Sequence, residues 1–69
     1  MLELKISLAA ARVNAKMTQD EVSRLMHVSK KTIVGWESGR VKPSLASLNM
    51  MSQLYGIPID NIFLPEKST

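Results

Sequence analysis

Thr18 to Gly39 reads TQDEVSRLMHVSKKTIVGWESG, and its order of polar and apolar residues marks two short helices. Thr18 and Glu21 have the spacing of a capping box, in which the Thr18 hydroxyl accepts from the Glu21 N–H and the Glu21 carboxylate accepts from the Thr18 N–H. Val22, Leu25 and Met26 follow at helical spacing, so the first helix runs to about Met26. His27-Val28-Ser29 then breaks the pattern. Ser29 suits the N-cap of a second helix, in which Ile33 and Trp36 share an inner face and Gly39 stands where a left-handed C′ residue belongs. At about 100° per residue, Lys31, Val34, Gly35 and Ser38 point outward, with Lys30 and Thr32 on the flanks.

On the amino-terminal side, Leu4, Ile6, Leu8, Ala11 and Val13 mix two periodicities. The Ala run and the lack of Pro or Gly before Lys16 favour a helix over about Glu3 to Ala15. On the carboxyl-terminal side, Val41-Lys42-Pro43 is a loop and Ser44 caps again. Leu45, Leu48, Met51 and Tyr55 form an inward stripe that ends at Gly56. Pro58 fits the first turn of a short last helix carrying Ile62 and Phe63. No strand pattern, repeat or linker appears. The expectation is an all-α, compact five-helix domain over residues 1–64, with a polar tail at 65–69.

Composition narrows the function. Sixty-nine residues allow one small core, and 45% are hydrophobic, enough to fold. There is no Cys, which removes disulfides, thiolate metal sites and a thiol nucleophile together. His27 is the only His, and no acid–base partner stands at a fixed helical offset from it. Paired carboxylates, a nucleophile with its base, phosphate loops and metal-ligand spacings do not occur, so an enzyme is the weakest class and no cofactor, metal or small-molecule substrate is expected. The apolar runs are too short for a bilayer and no signal peptide pattern opens the chain. A soluble, cytoplasmic protein is expected. The net charge is +3, unevenly spread: Lys30, Lys31, Arg40 and Lys42 lie within one strip that holds a single acid, Glu37. Lys30 and Lys31 also sit near the positive end of a helix dipole, which is unfavourable without a partner. Both facts point to a polyanion on that face.

Two short helices joined by a tight turn, the second apolar inside and basic outside, are the sequence form of a helix-turn-helix. From Leu8 to Phe63 the chain resembles the helix-turn-helix domain of the phage repressor and Cro type (the XRE-like, lambda-repressor-like family). TQDEVSRLMHVSKKTIVGWESGRVKPSLASL and YGIPIDNIF carry the resemblance, which covers about four fifths of the chain. It implies a DNA-binding transcriptional regulator, of the prophage or mobile-element repressor kind, whose third helix enters the major groove of double-stranded operator DNA.

The resemblance also assigns roles residue by residue. Gln19 matches a phosphate-binding position, its alternative being a solvent-exposed helical Gln. Lys30 and Lys31, in the first turn of the recognition helix, are candidates for guanine O6 and N7, or else a solvated or phosphate-bound pair. Gly35 replaces a long base-reading side chain; it either allows close approach, with Val34 meeting a thymine methyl, or marks a position the operator does not use. Arg40 and Lys42 look like backbone clamps, helped by Thr32 and Ser38, with a solvated loop as the alternative. Trp36 is core by both spacing and family position. Arg12 matches a residue that pairs with Glu37. Lys16 and His27 stand where the family usually has Gly, so both are expected at positive φ.

A symmetric homodimer is expected because one recognition helix covers only a few base pairs. Met50, Leu54, Ile59 and Leu64 are candidates for its interface or equally for the core. An adaptor that uses the same helices to bind protein, such as an antitoxin or coactivator, stays open beside the DNA reading. So do the operator, the regulated genes, activation against repression, and a longer protein of which this is the amino-terminal piece.

Overall fold

The computed structural model describes residues 5–65. Strand β1 (Ile6–Ser7) leads into α1 (Leu8–Asn14), followed by α2 (Gln19–Met26), α3 (Lys30–Ser38) and α4 (Leu45–Tyr55); a 3-10 turn (Ile59–Asn61) and strand β2 (Ile62–Phe63) close the described chain. The five-helix expectation is corrected to four α-helices and a small parallel sheet, with Ile6 opposite Ile62 and Ser7 opposite Phe63. The first helix also starts later than expected. Ser7 is its N-cap and accepts from the Ala10 N–H at 3.1 Å, which leaves Ile6 extended; residues 3 and 4 of the expected helix lie outside the described residues.

Side-chain caps account for the other starts. The Thr18 and Glu21 capping box is complete, with both hydrogen bonds at 3.0 Å. The Thr18 N–H, more than any other group, holds the Glu21 carboxyl below its ordinary pKa. Ser29 and Ser44 each accept from the N–H three residues on, at 3.1 Å.

Three helix ends share one geometry. Lys16, His27 and Gly56 have φ of 61°, 57° and 68°, all left-handed. In each case the next residue donates its N–H to a carbonyl five positions back: Met17 to Arg12 at 3.2 Å, Val28 to Ser23 at 3.0 Å and Ile57 to Ser52 at 3.2 Å. This is the Schellman arrangement. Met17, Val28 and Ile57 pack against the core, so apolar burial of the following residue holds the turn even where its left-handed residue is Lys or His.

The core is Leu8, Ala11, Val22, Met26, Ile33, Trp36, Met51, Tyr55 and Ile62. It joins all four α-helices and β2. The α4 stripe begins later than its periodicity predicts: Met51 and Tyr55 are buried and Leu48 half-buried, but Leu45 is 70% exposed. Leu45 follows the Ser44 cap directly, at the end of the helix remote from its buried residues. Phe63, expected on a last helix, lies on β2 and is 46% exposed.

Candidate nucleic-acid interface

The orientation of α3 is set from both sides of its inner face. Ile33 and Trp36 anchor it in the core. Beside them Glu37 receives Arg12 from α1, with Nε to Oε2 at 2.7 Å and Nη2 to Oε1 at 3.3 Å. Arg12 Nη1 also donates to the Met17 carbonyl at 2.9 Å, tying the α1–α2 turn to the same group. Gln19 of α2 adds a bond from Nε2 to Glu37 Oε1 at 3.0 Å. One carboxylate thus holds α1, α2 and α3 together. The Arg12 and Glu37 side chains are only 14% and 9% exposed; a pair this buried positions more than it stabilises. The hydrogen bond to Glu37 raises the Arg12 pKa, burial opposes it, and the charge of Glu37 adds to the rise. Tyr55 of α4 feels the same pair. Burial first, then the Glu37 charge, push its phenol up to about 12 against the opposing effect of Arg12.

The outer face of α3 is open at its amino end. Lys30, Lys31 and Val34 are exposed and Thr32 is half-buried, its hydroxyl 3.0 Å from that of Ser29. The Lys30 ammonium lies 3.8 Å from Asp20 on α2, a contact the sequence reading did not include. Both side chains are more than half exposed, so the pair is worth little in stability, but Asp20 gives Lys30 a local counter-charge.

Gly35 requires a correction. Expected outward, it is buried, because the chain after α3 folds back over it. The Val41 N–H reaches the Gly35 carbonyl at 3.1 Å, and a Cβ at Gly35 would meet Arg40 Nη2 at 3.3 Å and Val41 Cγ2 at 3.4 Å. The missing side chain makes room for the protein's own loop. Ser38 is exposed and braces that loop, donating to the Gly35 carbonyl at 3.2 Å and accepting from the Arg40 N–H at 3.4 Å. Arg40 and Lys42 are both exposed. Two exposed cations, Lys30 and Lys31, thus stand at the amino end of α3, and two more, Arg40 and Lys42, follow its carboxyl end.

Sequence reasoning missed Asp20 and Tyr55. An acid in the first turn of a helix is so common that nothing in the order of residues singles Asp20 out. Tyr55 reads as one more apolar stripe residue. Among the described residues, no group of His, Asp or Glu is placed to hold a metal ion, and no helix is long and apolar enough to cross a membrane.

Two helices crossing at a tight turn, the second fixed inward by core and ion pair and presenting a cationic outer face, define a helix-turn-helix domain. A family model described as helix-turn-helix matches residues 8–62, and the chain belongs to that family, in its phage repressor and Cro-type branch. The HTH-type transcriptional activator BcrR of Enterococcus faecalis is 29% identical over 66 residues, 96% of this chain and 32% of that protein. An uncharacterized HTH-type transcriptional regulator of Methanocaldococcus jannaschii is 30% identical over 63 residues, 91% of this chain and 96% of that protein. The cryptic phage CTXphi transcriptional repressor RstR of Vibrio cholerae is 33% identical over 48 residues, 70% of this chain and 43% of that protein. The chain thus spans about a third of the activator's length and under half of the phage repressor's. No solved structure gives a significant match.

Proposed function

We propose that the chain is a sequence-specific, double-stranded DNA-binding transcriptional regulator that lays α3 in the major groove. The observation that carries this reading is the division of α3 into an anchored inner face and a cationic outer face. Lys30 and Lys31 enter first and donate to guanine O6 and N7, while Val34 meets a thymine methyl. Arg40 and Lys42 hold the phosphate backbone, with Ser38, Thr32 and Gln19 beside it. Gln19 needs only one of its two amide hydrogens for Glu37, so the other is free for a phosphate at the amino end of α2. Gly35 has no place among the readers.

A symmetric dimer reads two half-sites, since one helix covers too few base pairs for operator affinity. Of the two signs that the relatives' names represent, the reading is repression, of the prophage or mobile-element kind. An occupied operator blocks polymerase without any further contact, whereas activation needs a second surface.

Selection from random duplex DNA tests the reading, followed by affinities on the selected site and a scrambled site at two salt concentrations. Lys30→Ala or Lys31→Ala costs roughly 1–3 kcal/mol on the selected site and much less on the scrambled one. Arg40→Ala or Lys42→Ala weakens both sites alike and lowers the salt slope by about one per lost contact, doubled in a dimer. If all four substitutions scale both affinities together, the amino end of α3 is not the reader. If binding does not weaken with salt, the chain is a protein-binding adaptor.

A further inference from the structure

Behind the loop that follows α3 lies a cavity of about 630 Å³, within the usual size of small-ligand sites. Its two sides come from distant parts of the chain. One is the loop, with Arg40, Val41 and Lys42; the other is the segment after β2, with Leu64 and Pro65. The two sides are closely fitted, because a Cβ at Gly39 would lie 2.9 Å from a Pro65 ring carbon. Glycine at the end of α3 thus has a second use besides its φ of 83°: it lets the chain after β2 press against the end of the recognition helix. The buried lining includes Trp36 and Pro43.

The chemistry of this lining is selective. Its apolar part is rich in rings, the planar indole of Trp36 and the compact apolar rings of Pro43 and Pro65, whose faces suit a planar aromatic body. Its charged part is Arg40 and Lys42, both exposed, with no acidic side chain among the described lining residues. We propose that this cavity is a binding site for a small aromatic anion, with the ring system between Trp36 and the prolines and its carboxylate or sulfonate on Arg40 and Lys42. The site lies outside the outer face of α3 and shares with the proposed DNA surface only those two cations. A bound anion therefore competes with phosphate for them, and its binding lowers DNA affinity. That last consequence rests on the proposed DNA-binding role, whereas anion binding itself does not.

The full chain without DNA is titrated with 8-anilinonaphthalene-1-sulfonate, which matches the ligand class, and separately with uncharged N-phenyl-1-naphthylamine. Trp36 is the only Trp, so energy transfer from indole to probe reports binding to the domain, and the variants at the lining residues localise it to this cavity. The expected result is saturable 1:1 binding of the sulfonate, at least tenfold tighter than the amine. Binding should weaken about tenfold or more in Arg40→Gln/Lys42→Gln, and again in Val41→Glu, which sets a carboxylate among the cations. All three positions are exposed, and thermal melts of the variants check that the fold is retained. Equal affinity for both probes, an unchanged affinity in the double variant, or probe fluorescence without transfer from Trp36 overturns the proposal. Sulfonate that binds this way yet leaves affinity for the selected DNA site unchanged overturns only the competition.

Discussion

Arg12→Met tests whether one carboxylate orients α3. The substitution keeps an unbranched apolar stem in place of the Arg12 stem but removes two hydrogen bonds to Glu37 and one to the Met17 carbonyl. Glu37, only 9% exposed, is left with the Gln19 amide at 3.0 Å. Breaking a buried pair from one side costs about 3–5 kcal/mol, because the surviving charge is uncompensated. The retained Gln19 bond places this case near the low end, about 3 kcal/mol. For a domain of this size each kcal/mol moves Tm by roughly 4–8 °C, so a fall of roughly 12–24 °C is expected by circular dichroism. Replacing both partners by apolar groups removes the orphaned charge, so Arg12→Met/Glu37→Met should recover about 2 kcal/mol of that loss. Affinity for the selected DNA site should fall in both variants, since neither holds α3 in register through the pair. A single variant within about 4 °C of the parent, or a double variant no more stable than the single, would refute the reasoning.

Lys16→Gly and His27→Gly should each raise Tm by roughly 4–8 °C, since a non-Gly residue in the left-handed region costs about 1 kcal/mol; an unchanged or lower melt would mean these turns are not strained. Gly35→Ala should stabilise the fold by up to about 1 kcal/mol from helix propensity, because the new methyl meets Arg40 and Val41 side-chain ends that can move by a few tenths of an ångström. Its DNA affinity should fall modestly as Arg40 is displaced, and a loss of stability in chemical denaturation would show that the loop cannot give. Tyr55→Phe should leave stability unchanged or raise it by about 1 kcal/mol, since the buried hydroxyl has no protein partner and removing such a group relieves its desolvation cost. The same variant checks the pH dependence. With the folded pKa raised to about 12 from 10.0, the parent loses stability as pH rises from 10 toward 12 while Tyr55→Phe keeps it; parallel melting curves across that range would contradict the assignment.

The elements that were legible in the sequence are those whose signals are local. Thr18, Ser29 and Ser44 are caps by residue type and spacing, and the helices they open begin where expected. The αL positions at Lys16 and His27 were legible only through the resemblance, because neither residue type announces positive φ. What escaped was non-local. A two-residue strand is too short to show alternation, and Ile6 pairs with Ile62 across nearly the whole chain. Phe63 and Leu45 fit a helical period in sequence, yet one sits on that strand and the other just inside a cap, where the core does not reach.

Gly35 shows how the same limit acts on the candidate site. Angular counting around α3 places Lys31, Val34, Gly35 and Ser38 on one open face, and for an isolated helix that is right. The count knows nothing of the loop after Gly39, which turns back along the helix and covers Gly35 while Ser38 stays exposed. Lys30, Lys31 and Val34 stay exposed because they lie ahead of the returning chain. The loop therefore settles which part of α3 is open as well as carrying Arg40 and Lys42. With Gly35 covered, the open stretch at the amino end of α3 is Lys30, Lys31 and Val34, and the proposed readout at Lys30 and Lys31 rests on the shape of that face as well as on its charge.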